Sequence, residues 1–218
     1  MKNRLINFFF LLILKIYLDI KFFINNFSNP NKNYYKKKYI DYKNNNSNYF
    51  FGYHDKISLQ NNKLLSHENF KNEFYVGYFN KKKLFKRIKK TNLCSWQLGS
   101  QLQWIDKNKI IFNGVIENKP CSILFDLRKM KILKRFNHLI YNFDKNKRNF
   151  ISLNFNQLYE NRSGYGYNLK KYNNFNINSD DLKIVKLKND KILYSIKKNT
   201  LINKFGNLVS KHSHFNHA

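Results

Sequence analysis

Ser95-Trp96-Gln97-Leu98-Gly99-Ser100-Gln101-Leu102-Gln103-Trp104 holds both tryptophans of the chain, eight residues apart, and the run Ile110-Ile111-Phe112-Asn113 follows it closely. A glycine near the middle of this stretch, with a β-rich run soon after, reads as the start of one blade of antiparallel sheet. Outward from this stretch the pattern repeats. From Tyr49 onward, short β-type runs alternate with Asn, Asp, Gly and Lys. Strands are expected over 63–67, 74–79, 110–113, 122–127, 131–136, 150–154, 182–187 and 191–196. Asp126-Leu127-Arg128-Lys129 and Lys188-Asn189-Asp190 each join two of these runs as a hairpin turn. No segment after residue 30 has sustained helical periodicity.

The turns recur with a period. Asp55-Lys56 leads through Asn61-Asn62-Lys63 into Leu64, Asp106-Lys107-Asn108-Lys109 into Ile110, and Asp144-Lys145-Asn146-Lys147 into Phe150. The apolar starts are 46 and 40 residues apart, near the ~40–50 residues of a propeller blade. Each polar stretch reads as a tight turn, and each apolar run after it as a strand packed between neighbouring sheets. The fold expected is all-β, a partial β-propeller of three to four blades preceded by an apolar helix. A small β-sandwich is the competing architecture.

The composition sets bounds on partners. The chain has 218 residues and a formal net charge of +28, from 41 Lys and Arg against 13 Asp and Glu. Alone, that charge points to a polyanion: nucleic acid, a membrane surface or an acidic polysaccharide. The 37 Asn and the heavy use of Lys, Ile, Phe and Tyr, all with A/T-rich codons, account for the bias without any binding role. No specific nucleic-acid motif is present. Cys94 and Cys121 match neither a zinc nor a redox spacing and read as buried free thiols of a reducing compartment.

Residues 1–24 form the most apolar part, but the unbroken run 8–14 is shorter than the ~20 residues a spanning helix needs. Lys15, Asp19 and Lys21 interrupt its continuation. A signal sequence, a poor anchor and a helix lying in the membrane interface or against the domain compete, and the last is favoured. Residues 25–48 read as an Asn- and Lys-rich linker, and 49–218 as the propeller domain, truncated at its C-terminal end. If the apolar segment inserts, Lys32, Lys36, Lys37 and Lys38 just after it argue that the domain stays on the cytoplasmic side, and the expected localisation is cytoplasmic or peripheral on the cytoplasmic face.

Phe50-Phe51-Gly52-Tyr53-His54-Asp55-Lys56, the Ser95–Trp104 stretch and Leu153-Asn154-Phe155 followed by Arg162-Ser163-Gly164-Tyr165-Gly166-Tyr167 together resemble the bacterial TolB-like and oligogalacturonate-lyase-like β-propeller superfamily. The resemblance covers roughly residues 49–218 and implies blades of four antiparallel strands, six or seven in a full ring. A ring of that period needs about 300 residues, so about 170 imply a fragment.

Three functions follow as expectations. The first is a non-catalytic binding or scaffold propeller linked to cell-envelope polysaccharide. Trp96 and Trp104 would offer aromatic faces to sugar rings, and Gln97 and Gln103 amides to hydroxyls, although aromatics between blades are commonly core. The second is a polysaccharide lyase or other glycan-active enzyme that depends on a divalent metal such as Mn or Ca. On an extended strand, His212 and His214 face one side, and a bend brings in His217. The resemblance implies histidine-bound metal of this kind. His54 or His67 would then abstract a proton from an acidic oligosaccharide, and Lys56 or Arg162 would bind its carboxylate. The third is electrostatic binding to a membrane surface or nucleic acid.

Overall fold

The computed structural model describes residues 47–52, 55–162, 164–172 and 181–205, all within one unit of the chain spanning Tyr42–Ala218. The expected membrane-associated helix (1–24) and most of the linker (25–48) lie outside the described residues, as do His54, His212, His214 and His217. The described chain forms three antiparallel sheets and two short helices. Among the described residues no helix is long and apolar enough to cross a membrane.

The first sheet contains β1 (Ser47–Phe50), β2 (Leu59–Gln60), β3 (Lys63–Phe70), β4 (Glu73–Phe79) and β5 (Phe85–Lys90). Its order is β1-β3-β4-β5, and β2 pairs the other end of β3. The second sheet runs in sequence order through β6 (Gln103–Trp104), β7 (Lys109–Ile116), β8 (Lys119–Asp126) and β9 (Lys131–Phe136). The third does the same through β10 (Ile140–Phe143), β11 (Asn149–Ser152), β12 (Asp181–Lys186) and β13 (Lys191–Lys197). Every expected strand is present, and both expected hairpins join consecutive strands, β8 to β9 and β12 to β13.

The second sheet lies between the other two, and side-chain alternation along its strands shows why. Ile110 and Phe112 of β7, with Cys121, Ile123 and Phe125 of β8, pack against Leu65, Val76 and Tyr78 of the first sheet. Ile111, Leu124 and Phe136 of the second sheet join Ile140, Phe150 and Val185 of the third. A strand buried on both faces reads as continuous apolar sequence, which is what Ile110-Ile111-Phe112 supplies.

The Asn-rich composition has a local use. The two-residue links β2–β3, β3–β4 and β7–β8 put Asn61 and Asn62, Lys71 and Asn72, and Glu117 and Asn118 at positive φ. Such hairpin turns need left-handed backbone, which Asn tolerates better than most residues. Aspartates hold the longer turns. Asp106 Oδ1 accepts from the N–H groups of Asn108 and Lys109 at 2.8 and 2.9 Å, and Asp126 Oδ1 does so from Arg128 and Lys129 at the same distances. Asp144 Oδ1 accepts from Arg148 at 2.8 Å and Asn149 at 3.2 Å. The repeating Asp/Asn/Lys stretches are thus tight turns, each feeding a buried central strand.

Two helices depart from the expectation of none. Helix α1 (Phe155–Asn161) has Asn154 as its N-cap, whose Oδ1 accepts from Gln157 N–H at 3.1 Å. It buries Phe155 and Leu158 beside Leu93, Leu98, Tyr167 and Leu169. Helix α2 (Lys198–Phe205) buries nothing. Two turns of helix are too few for a 3.6-residue period to stand out in sequence, so the cap was the only signal for α1.

Candidate functional site

The connection between β5 and β6 contains the Trp96–Trp104 stretch, and a buried polar network organises it. His67 of β3 is fully buried, and its Nε2 lies 2.8 Å from Ser100 Oγ and 3.0 Å from Ser100 N. The Phe50 ring stacks on the imidazole at 5.0 Å. Burial pulls the His67 pKa down from 6.5 to about 4, with the carbonyls of Phe50 and Phe51 opposing. The ring is therefore neutral at pH 7, and Nε2, accepting from the Ser100 N–H, leaves the proton on Nδ1.

The network continues into the other sheets. Asn113 N–H donates to Ser100 O at 2.7 Å, and Thr91 Oγ1 donates to Asn113 O at 2.9 Å. Asn113 Oδ1 accepts from Ser122 Oγ at 2.7 Å and from Ile140 N–H at 3.0 Å. Its Nδ2 donates to Ile140 O at 2.9 Å and to Tyr167 Oη at 3.3 Å, and Tyr167 in turn donates to Gly99 O at 3.1 Å. Burial raises the Tyr167 pKa far above the ordinary phenol value, so the hydroxyl keeps its proton. One set of bonds thus ties residues from all three sheets to Gly99 and Ser100.

Gly99 is required twice. Its φ is +57°, and a Cβ there would sit 2.5 Å from His67 Cε1, on a ring with no room to retreat. Gly99→Ala is expected to cost at least about 2 kcal/mol in urea unfolding. A loss under about half of that would mean the ring can move.

The four residues expected to bind sugar separate into two pairs. Trp96 is 62% exposed and touches Phe50 at 5.3 Å and Phe74 at 6.4 Å between ring centres. Gln97 is also exposed, and its N–H donates to Gly164 O at 3.2 Å. Trp104 is a core residue whose Nε1 donates to Ser58 O at 3.0 Å, and Gln103 is buried, its Nε2 donating to Gln101 O at 3.2 Å.

Trp96 opens onto a cleft of about 290 Å³ between the β5–β6 connection and the segment after α1. Tyr159, Tyr165, Asn92, Asn168 and Lys171 also line it. Tyr159 is 46% exposed, and the Arg162 guanidinium lies 4.5 Å over the Tyr165 ring. None of the described residues lining this cleft is acidic. Aromatic rings, amides and an ammonium group at one opening suit a polyhydroxylated ligand with negative charge. Tyr159 and Lys171 have no signal of their own in the sequence. Tyr165 lies within the Arg162–Tyr167 motif, which reads as a turn.

Gln103 and Trp104 line a second cleft of about 250 Å³ with Asp55, Lys56, Gln60, Asn142, Asp144, Lys145 and Lys147. The Lys56 side chain is 6% exposed, its Nζ 3.0 and 3.1 Å from the two oxygens of Asp55 and 5.5 Å over the Tyr141 ring. Burial lowers its pKa, and Asp55 offsets part of that.

The candidate general bases fare differently. His54 lies outside the described residues. His67 lies within β3 but has no exposed surface, and a base must reach the proton it removes. Glu68, also buried, is held by Ser47, Tyr49 and Arg87. Burial pushes its carboxyl pKa up, but these partners leave it below the ordinary value. Among the described residues no group of three or more His, Cys, Asp or Glu is placed to hold a metal. The candidate ligands His212, His214 and His217 lie outside them. Cys94 is half-buried and Cys121 buried, both free thiols whose pKa burial raises. Compared with family models, curated proteins and solved structures, the chain has no significant match in any of the three.

Proposed function

We propose that the chain is part of a β-propeller that binds an acidic polysaccharide of the cell envelope without acting on it, in the Trp96 cleft. The observation that carries this reading is the exposed Trp96 at an opening shared with Tyr159, Tyr165 and Lys171. A large indole left in water has no core role to account for it, and such rings are the usual anchors of binding surfaces. Three successive antiparallel sheets, the first of five strands and the others of four, the middle one covered on both faces, support the propeller, each sheet being read as one blade. The lysines after residue 30 support a place on the cytoplasmic side of the membrane.

Trp96→Ala is expected to weaken binding of an acidic oligosaccharide by about 2 kcal/mol, roughly thirtyfold in Kd, by calorimetry. An unchanged Kd would remove the cleft from the reading. The same incubation followed by ultraviolet absorbance distinguishes the lyase: growth of an unsaturated-uronate band would replace a binding protein with an enzyme. Binding to anionic vesicles or DNA that equals oligosaccharide binding and falls steeply with salt would favour the bare-charge reading instead.

A further inference from the structure

We propose that the second cleft, where β2, β6 and β10 converge, is a separate site for an oxyanion group, a carboxylate or phosphate, on a ligand of about monosaccharide size. Each sheet contributes at an equivalent point: Asp55, Lys56 and Gln60 around β2, Gln103 and Trp104 of β6, and Asn142 of β10 with Asp144, Lys145 and Lys147 of the turn after it.

The argument is an inventory of donors and charge. Both carboxylates at the cleft are occupied. Asp55 holds Lys56, and Asp144 accepts from the backbone of Arg148 and Asn149 and from Asn149 Nδ2 at 2.9 Å. The ammonium groups are not correspondingly used up. An ammonium has three donors. Lys56 gives two to Asp55. Lys147 gives two to peptide oxygens, Trp104 O at 2.9 Å and Ile105 O at 3.0 Å, which carry no net charge to neutralise it. Among the described residues, one donor on each of two anchored ammonium groups is left over, and Lys145 is exposed beside them without a carboxylate partner. Three lysines against two committed aspartates leave a positive site. The amides of Gln60, Gln103 and Asn142 at the same walls suit hydroxyl groups. The volume, about 250 Å³, falls just below the roughly 300–1,000 Å³ of sites for larger ligands.

The test titrates the full chain separately with inorganic phosphate, glucuronate and glucose, followed by calorimetry and by NMR shifts of Gln103 and Asn142 amides. Phosphate or glucuronate is expected to bind with those shifts, and glucose at least about tenfold more weakly. The stronger of the two anions identifies the oxyanion. Lys147→Met is expected to weaken that anion about tenfold. Lys145→Glu, an exposed change that leaves every hydrogen bond described here intact, gives the same direction should the first variant fail to fold. Equal binding of glucose and glucuronate, no anion binding, or unchanged affinity in Lys145→Glu overturns the site. Trp96 takes no part in this cleft, so failure here leaves the polysaccharide reading standing, and the reverse also holds.

Discussion

Replacing Asn113 by leucine is expected to destabilise the protein by about 4 kcal/mol, a large share of the total stability of a domain this size. The two side chains have the same branching and number of heavy atoms, so the loss is mainly polar, with leucine's bulkier methyl groups adding to it. Leucine strips Ile140 O of its partner, removes one of the two acceptors of Ile140 N–H, and takes a donor from Tyr167 Oη. These groups are buried, and each buried polar atom left unmade costs about 1–3 kcal/mol. Urea unfolding of wild type and variant at pH 7 measures the difference. A change below about 1 kcal/mol would show that the sheets are held by their apolar contacts alone.

Acid should find the molecule at His67. The folded pKa of about 4 lies below the ordinary 6.5, so the unfolded chain takes up the proton first. The stability this neutral ring preserves is complete above about pH 6.5 and is lost as pH falls toward 4. The loss is about 3 kcal/mol over that interval. His138 moves the same way, because burial lowers its pKa too, with Asp190 opposing and Lys183 adding to the lowering. The difference between wild type and His67→Gln isolates the His67 share: the variant's stability should fall less between pH 7 and 4. Proton NMR of the wild type provides an independent reading, with one imidazole resonance unmoved down to about pH 5. An imidazole set titrating wholly near 6.5 would refute the assignment.

The parts of this fold that could be read from sequence are those where burial imposes a pattern. β3, β4, β7, β8 and β11 carry apolar runs because neighbouring sheets cover them. β5, with Lys86, Arg87, Lys89 and Lys90 among its six residues, carries no such pattern, and β6 and β2 are two residues long. These edges owe their place to pairing with a partner strand, which composition does not record. The site shows the same division. Trp96 and Trp104 look equivalent in a stretch of ten residues, yet one is 62% exposed and the other 3%. What separates them is Gly99, whose left-handed bend lets the chain fold over His67 between the two. Tyr159 and Lys171 reach the Trp96 cleft from more than 60 residues away in the chain. Lys147 reads as an ordinary turn residue until Trp104 O and Ile105 O are seen beneath its ammonium group.

The bonds around Asn113 also bear on how the molecule opens. Sheets stacked in a row can in principle come apart one at a time, because each touches only its neighbours. Here the amide hydrogens of Asn113 and Ile140 are held by groups from separate sheets and connections, Ser100, Ser122 and Asn113 itself. Neither can be released by fraying one sheet. In deuterated water these two hydrogens should be among the last to exchange, leaving only when the whole unit unfolds, while the amides of the exposed strand β13 exchange early.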